Sequence, residues 1–183
     1  MAYRNGTYVA FDGNGTTNPT QGDMKYYGLL QMWNKSNKYD LNFSDSHKKT
    51  YQVQDSSQLE TLKKRLLQRM ASSKNMLLII SDDTNWDRGL LNYEIEKAVD
   101  YYELPIIVAY TGVSNITSPA SLENKWPKAL NERIKNRTAK CVHIPFNERM
   151  ISMAISQVNI NNKPTSALSY YRGGIKECLI DTN

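Results

Sequence analysis

The sequence predicts an α/β protein built on a parallel sheet, and two observations lead to that prediction. Segments with the character of strands alternate with segments of helical periodicity, in the order β-α-β-α-β-α-β-α-β-α. The third and fourth strand segments, residues 76–80 and 104–110, are apolar almost throughout, as in strands covered on both faces. Such alternation places helices on both sides of a parallel sheet. We therefore predict a flavodoxin-like three-layer α/β/α sandwich with five parallel strands in the order 2-1-3-4-5.

The first half of the chain shows four elements in turn. Residues 7–11 form a β-rich run that ends in a polar, glycine-bearing loop, as strands often do. Asp23 is predicted to cap the helix that follows, because apolar side chains recur at helical spacing after it. A shorter strand is predicted over residues 41–43. Ser56 or Ser57 is expected to begin the next helix.

The second half repeats the alternation around the buried strands. Its remaining elements are predicted as helices over residues 90–102, 120–135 and 148–158, and as a strand over residues 141–144. Pro127 is expected to kink or divide the middle helix, because proline removes a backbone hydrogen bond inside a helix. Asn147 has the residue type and the position of a helix cap.

Composition and charge indicate a globular protein without a membrane or nucleic-acid partner. The 183 residues are 40% hydrophobic and 22% charged, which is ordinary for a soluble domain. The formal charge of +5 comes from scattered basic residues without an aromatic–basic stripe, which argues against a nucleic-acid surface. No apolar run approaches the roughly 20 residues of a membrane span, and the start lacks a signal peptide. We therefore expect a cytoplasmic protein.

The alternating pattern stops at about residue 160, and this change sets the predicted domain boundary. Residues 159–166 read as a polar loop, and the following segment contains an Arg-Gly-Gly run. We predict one domain over residues 1–160. Residues 161–183 are predicted to be a C-terminal extension that packs on the domain or lies at a contact surface.

Glu94 is the acidic residue whose position the helical pattern does not explain. At about 100° per residue, Leu91, Ile95 and Ala98 share the apolar side of the helix over residues 90–102, and Glu94 falls inside the same arc. A buried carboxylate has to be paired, neutralised or used in chemistry. The predicted topology places it at the exit of the third strand. A structural role, in which Glu94 pairs with a basic neighbour or reaches solvent, stays open at this point.

The predicted topology also brings several polar loops to one edge of the sheet, near the switch point between strands 1 and 3. The loops after the first three strands contribute the acids Asp12, Asp45, Asp82 and Asp83, with serine and threonine hydroxyls beside them. Carboxylates and hydroxyls suit the hydroxyl groups of a ribose. Acids at this edge could instead hold magnesium. The single acid after strand 1 and the absence of a lysine after strand 5 argue against that alternative.

Three other motifs are too incomplete to predict a site. The Gly-Asn-Gly run at residues 13–15 lacks the third glycine and the immediate helix of a dinucleotide fingerprint. Ser44, Asp45 and His47 lie in one loop and cannot form the relay of a catalytic triad. Two cysteines and two histidines argue against a disulfide framework or a metal centre. We therefore expect no metal.

Two stretches resemble the bacterial TIR-like family that contains the Thoeris antiphage proteins. Residues 8–12, Tyr-Val-Ala-Phe-Asp, look like the opening strand of TIR-like domains. Residues 77–81 and 90–98 look like the family's Ile-Ser and Tyr-Glu-Ile-x-x-Ala segments, with Leu90 where the family usually has tryptophan. The resemblance runs over roughly residues 7–157 and implies a TIR-like fold.

The resemblance also implies an activity and a set of site residues. In enzymatic TIR domains the glutamate of this helix is catalytic in cleaving the nicotinamide–ribose bond of NAD⁺, and Glu94 occupies that position. NAD⁺ would then be a substrate, not a cofactor. The residues expected to bind it, from the strand-end loops and the Glu94 helix, are Phe11, Asp12, Gly13, Asp45, Ser46, Ser81 and Tyr93.

The resemblance further implies how such an activity is used. Thoeris TIR proteins make a cyclic ADP-ribose-type signal that acts on a separate effector protein, and we expect the same of this chain. A phage-derived activator and assembly into a homo-oligomer are compatible with the resemblance. Two alternatives remain: a non-catalytic TIR-like interaction module, and another N-glycosidic enzyme of the same topology, such as a deoxyribosyltransferase-like protein. The sequence does not separate hydrolysis from cyclisation.

Overall fold

The chain folds around one mixed sheet, which the computed structural model describes over residues 4–14, 20, 22–36, 38, 43–45, 59–172 and 178–180. The strands are β1 (Gly6–Ala10), β2 (Ser44–Asp45), β3 (Ser73–Ile80), β4 (Ile106–Tyr110), β5 (Cys141–Pro145), β6 (Ser169–Arg172) and β7 (Cys178–Ile180). The α-helices are α1 (Met24–Lys35), α2 (Leu59–Ala71), α3 (Gly89–Glu96), α4 (Lys128–Lys135) and α5 (Glu148–Gln157). Within the described residues the strand order is β2-β1-β3-β4-β5-β6-β7. The predicted α/β fold class is confirmed, and β1 lies between β2 and β3 as the flavodoxin-like order requires.

The core has two layers because successive side chains of each central strand point to opposite faces of the sheet. Tyr8, Leu78 and Val108 belong to the cluster that α2, α3 and α4 cover. Val9 and Leu77 belong to the cluster that α1 and α5 cover. Every residue of β1, β4 and β5 is buried, which explains the continuous apolar runs of the sequence. None of the described helices has the length and apolar content needed to cross a membrane.

Two strands that the sequence did not predict extend the sheet beyond β5. β6 pairs in parallel with β5, and β7 pairs antiparallel with β6. Residues assigned to a C-terminal extension thus contribute strands to the same sheet. These strands escaped prediction because they are four and three residues long, and because the Arg-Gly-Gly run at residues 172–174 interrupts the segment.

Several helix and strand boundaries show which of the predicted caps, breaks and starting residues are present. Asn147 caps α5 as predicted, accepting a 2.9 Å hydrogen bond at Oδ1 from the backbone N–H of Met150. Pro127 divides the predicted helix into a 3₁₀ turn before it and α4 after it. The prediction that Asp23 caps α1 is wrong, because its side chain makes no cap hydrogen bond. The second strand begins one residue after the predicted range, and the predicted start of α2 at residues 56–57 lies outside the described residues.

The helix that carries Glu94 changes its winding just after that residue. α3 continues as a π-helix over Lys97–Tyr101, where the backbone N–H of Tyr102 donates to the carbonyl of Lys97, five residues back, at 3.0 Å. A π turn accommodates one extra residue and occurs frequently at functional sites. The helix predicted over residues 90–102 is present but is not uniform.

Candidate active site

Glu94 lies on the side of α3 that faces the sheet. Its neighbours on that side, Leu91 and Ile95, are 1% and 0% exposed and belong to the apolar cluster of this face. Glu94 itself is 6% exposed. Its burial therefore agrees with its position in the apolar arc of the sequence. A carboxyl group in such surroundings needs a hydrogen-bond partner.

A tyrosine of the core provides that partner. Tyr8 is fully buried in β1, and its hydroxyl donates a hydrogen bond to Glu94 Oε1. The alternation of β1 turns Tyr8 towards the face that α2 and α3 cover, while Val9 turns to the other face. The hydrogen bond thus connects a central strand to the helix that lies over it.

Burial changes the acidity of both partners. Loss of solvent raises the pKa of Glu94 to about 7, while the Tyr8 hydrogen bond and the Arg69 charge act in the lowering direction. Burial raises the pKa of Tyr8 well above its usual range, so Tyr8 keeps its proton and stays a donor. Near neutral pH, Glu94 is therefore divided between a neutral and an ionised form. A carboxyl group that changes charge at working pH is suited to catalysis.

Positive charge surrounds the residue next to Glu94. The half-buried ring of Tyr93 has Lys63 Nζ of α2 at 5.1 Å from its centroid and Lys97 Nζ at 5.6 Å. Both distances suit cation–π interactions. The surface between α2 and α3 therefore carries two cations beside Tyr93, of which Lys63 also forms an ion pair with Glu60, with 3.7 Å between Nζ and Oε1.

Asp12 lies at the start of the loop after β1, at the carboxyl edge of the sheet. It is 1% exposed, and its carboxylate accepts hydrogen bonds from the backbone N–H groups of Asn14 at 2.8 Å and Asn85 at 3.0 Å. Arg88, the residue before α3, forms an ion pair with it, with 2.9 Å between Nε and Oδ1. Both carboxylate oxygens are thus used inside the protein. Asp12 holds together the loops after β1 and β3 and the start of α3.

Asp23 and Ser81 make a second connection at the same edge. The hydroxyl of Ser81 donates to Asp23 Oδ1, and the hydroxyl of Thr84 donates to Asp23 Oδ2 at 2.8 Å. Burial raises the pKa of Asp23, while these two hydrogen bonds act in the lowering direction. The residue predicted as a helix cap therefore ties the start of α1 to the loop after β3.

Glu94 lies below this edge rather than at it. Arg88 reaches Asp12 at the edge, and Glu94 lies six positions after Arg88 along the helix. Six residues span about 9 Å at 1.5 Å per residue. On β1, Tyr8 lies four residues before Asp12, so strand and helix descend together from the edge. The expectation that Glu94 sits at the exit of the third strand needs this correction: it is recessed beneath the exit.

The other predicted substrate-binding residues occupy separate places. Phe11 lies on the opposite face of the sheet, where its ring stacks on Tyr27 of α1 with 4.9 Å between centroids. Gly13 lies in the loop after β1, and Asp45 lies in β2, beside β1. Ser46 lies outside the described residues. The structure thus brings Glu94 together with Tyr93 of its own helix, but it does not bring Phe11 to their face.

Three residues of this site were missed by the sequence analysis: Tyr8, Arg69 and Asp23. Tyr8 carried a usable signal, because a phenol at an inward position of a buried strand needs a hydrogen-bond partner. Arg69 carried none, because basic residues surround the whole exposed side of α2. The true role of Asp23 depends on a residue 58 positions away and leaves no local pattern.

A second buried polar group, His143 of β5, is fully paired. Trp126 Nε1–H donates to the Tyr110 hydroxyl at 2.7 Å, that hydroxyl donates to His143 Nδ1 at 2.7 Å, and His143 Nε2–H donates to the Ala167 carbonyl at 2.9 Å. The carbonyl can only accept, which fixes the tautomer. Burial lowers the pKa of His143 to about 4. Within the described part of the chain, no group of three or more histidine, cysteine or acidic side chains could hold a metal ion.

The chain matches the model of a known protein family. The family model of the Thoeris protein ThsB, TIR-like domain, matches residues 8–116. That segment is more than half of the 183 residues, and it runs from Tyr8 through Glu94 to the loop after β4. Both partners of the buried hydrogen bond therefore lie inside the matched segment.

Proposed function

Because this chain belongs to the family of the TIR-like domain of the Thoeris protein ThsB, we propose that it cleaves the nicotinamide–ribose bond of NAD⁺ and forms a cyclic ADP-ribose-type signal. Membership of the family gives the chain a TIR-like role in antiphage defence. The observation that carries the finer proposal is the state of Glu94. It is a buried carboxyl group with a raised pKa of about 7, in the helix where TIR enzymes carry their catalytic glutamate.

The proposed first step breaks the bond between C1′ of the ribose and the nicotinamide nitrogen. The electron pair of that bond leaves with nicotinamide, which becomes neutral, and positive charge develops over C1′ and the ring oxygen. This state resembles the oxocarbenium ion of glycoside hydrolysis. The carboxylate of Glu94 stabilises that charge, and its interaction is strong because the surroundings exclude water.

The proposed second step decides the product. A nucleophile of the same molecule attacks C1′ and the product is a cyclic ADP-ribose isomer, with any displaced proton released to solvent. Attack by water instead gives ADP-ribose and a proton. Lys97, and Lys63 once it exchanges its partner Glu60, are the cations beside Tyr93 that would attract the two negative charges of a dinucleotide. On this proposal NAD⁺ is the substrate and a phage component activates the enzyme. The signal that the enzyme then forms acts on a separate effector protein.

The test is release of nicotinamide from NAD⁺, measured with the wild-type protein and with Glu94→Gln. The reaction should be run with and without an extract of phage-infected cells as a source of activator. We expect the wild type to release nicotinamide and Glu94→Gln to lose at least about a hundredfold in rate, because the amide carries no charge. Glu96→Gln is the matched control, since Glu96 is an exposed acid two positions along the same helix. Activity that survives in Glu94→Gln would overturn the assigned role, and chromatography of the product separates cyclisation from hydrolysis.

One observation favours a second function, a non-catalytic TIR-like interaction module. The carboxyl group of Glu94 already has a partner in Tyr8 and lies beneath the edge of the sheet. A purely structural acid would show the same two features. Under that alternative, NAD⁺ stays intact in the wild-type protein with and without the extract, and a partner protein is retained equally well by Glu94→Gln.

A further inference from the structure

We propose that Tyr8 is a positioning residue for Glu94, whose hydroxyl orients the carboxyl group and favours its ionised form over its neutral form. This inference rests on the proposed function for its catalytic meaning. Its physical content, the control of Glu94 by Tyr8, is measurable without any substrate. It assigns a role to a core residue that the sequence pattern marks only as part of a buried strand.

Tyr8 is a rigidly placed donor. In the sheet, Tyr8 of β1 pairs with Met76 of β3. The ring of Tyr8 is buried in the cluster between the sheet and α2. A ring packed on all sides has little rotational freedom. Glu94 has a longer, more flexible side chain, and fixing it costs conformational entropy. The hydroxyl of Tyr8 thus restricts the carboxyl group to one orientation within the cluster.

The charged and titratable groups that act on this pair come from three elements. The charge of Arg69 of α2 acts on both partners: it lowers the pKa of Glu94, which favours the ionised carboxylate, and it also acts in the lowering direction on the pKa of Tyr8. Tyr93 of α3 disfavours ionisation of Tyr8, and its ring is flanked by Lys63 and Lys97. Within the described residues, the hydroxyl of Tyr8 makes the one direct hydrogen bond to Glu94. The local donor is therefore Tyr8, and Arg69 adds a longer-range contribution.

Removal of this hydroxyl has a defined consequence. In Tyr8→Phe the carboxylate keeps its desolvation but loses the hydrogen bond that favours its ionised form. The pKa of Glu94 should rise by about one unit, which is the size expected for a hydrogen bond to a charged group. At pH 7 the ionised fraction would fall about fivefold from one half. The rate of nicotinamide release should fall by the same factor through kcat, with KM little changed, and should recover above about pH 8.

The decisive measurement is the titration of Glu94 by NMR with ¹³C-labelled glutamate side chains. Glu94→Gln identifies the signal, and the wild type is compared with Tyr8→Phe. Tyr110→Phe is the matched control, because it also removes a buried hydroxyl from a central strand of the same cluster. We expect an upward shift of the Glu94 titration in Tyr8→Phe and none in Tyr110→Phe. An unchanged titration in Tyr8→Phe, or an equal shift in both variants, overturns the proposal.

A wild-type measurement keeps the test independent of how well Tyr8→Phe folds. The hydroxyl proton of Tyr8 should give a downfield resonance, protected from exchange, whose position follows the Glu94 titration. A Tyr8 hydroxyl resonance whose position does not change as Glu94 titrates contradicts the inference. If the titration behaves as expected but the wild type never cleaves NAD⁺, the proposed enzyme fails while the control of Glu94 by Tyr8 stands. A shifted titration with an unshifted pH–rate profile refutes the catalytic part of the inference.

Discussion

The hydroxyl of Tyr8, in a central strand, donates its hydrogen bond to the carboxyl group of Glu94, 86 positions away in the chain. Each residue alone looks like a packing anomaly, a phenol inside a strand and an acid inside an apolar arc. Together they are a satisfied buried pair whose acid titrates near neutral pH.

Glu94 should make the protein less stable as the pH rises. Its pKa moves from 4.5 in the unfolded chain to about 7 in the folded one. Between these values the folded state binds more protons, so the free energy of unfolding falls with rising pH and the loss is complete above pH 7. The expected loss is about 3 kcal/mol, at about 1.4 kcal/mol per pKa unit. Urea unfolding of Glu94→Gln and wild type at several pH values should show a difference that grows from pH 4.5 to 7.

The control for this titration is Glu96→Gln on the exposed side of the same helix. Its difference from the wild type should stay flat over the same pH range. A flat difference for Glu94→Gln as well would mean that Glu94 ionises normally, and it would remove the physical basis of the assigned role.

Arg69 should make the pKa of Glu94 depend on salt. Its charge lowers that pKa from a half-buried position on α2, where dissolved ions can screen it in part. The pKa of the wild type should rise by a few tenths between low salt and about 0.5 M salt. Arg69→Gln should begin with a higher pKa and lose most of the salt dependence. Lys64→Gln, a change at an exposed cation of the same helix, should leave both properties unchanged.

Asp12→Asn should destabilise the fold more than an ordinary surface change. The amide cannot accept from both backbone N–H groups of Asn14 and Asn85, and the ion pair with Arg88 is lost. We expect a cost of about 2 kcal/mol in denaturant unfolding. Asp83→Asn, at an exposed acid of the neighbouring loop, should cost no more than about 0.5 kcal/mol. Equal costs would show that the Asp12 contacts do not hold the loops together.

His143 should limit stability on the acid side. Its pKa falls from 6.5 to about 4 on folding, so below pH 6.5 the unfolded chain takes up a proton that the folded protein refuses. Stability then decreases as the pH falls, by about 3 kcal/mol in total once the pH is below 4. The difference in unfolding free energy between His143→Gln and wild type should change by that amount from pH 6.5 to 4. NMR of the imidazole provides a direct check, since titration near pH 6.5 would contradict this prediction.

Sequence reasoning located Glu94 because helical periodicity is a strong local signal. Leu91 and Ile95 define an apolar face, and an acid between them is visible without any structure. The central strands were equally readable, because burial on both faces leaves uninterrupted apolar runs. Asn147 was found because a cap depends on residues within one helical turn.

The other features of the site and the fold depend on contacts between residues far apart in the sequence, which local patterns do not show. The partner of Glu94 is set by the register of β1 beneath α3, so the sequence shows that the phenol of Tyr8 needs a partner but not that Glu94 is that partner. Asp23 has the sequence position of a cap, but its carboxylate accepts hydrogen bonds from two hydroxyls of the loop after β3 instead. β6 was missed because a four-residue strand gains its stability from pairing with β5 rather than from its own composition.

The strand order also decides where this chain can be divided. β4 is the last strand inside the matched segment, and its outer side pairs residue for residue with β5, from Ile106 with Cys141 to Tyr110 with Pro145. A fragment ending at residue 116 would leave β4 as a bare edge and remove α5 from one face of the core. Such a fragment should self-associate rather than fold. We therefore expect the smallest length that folds alone to be longer than the segment that the family model matches.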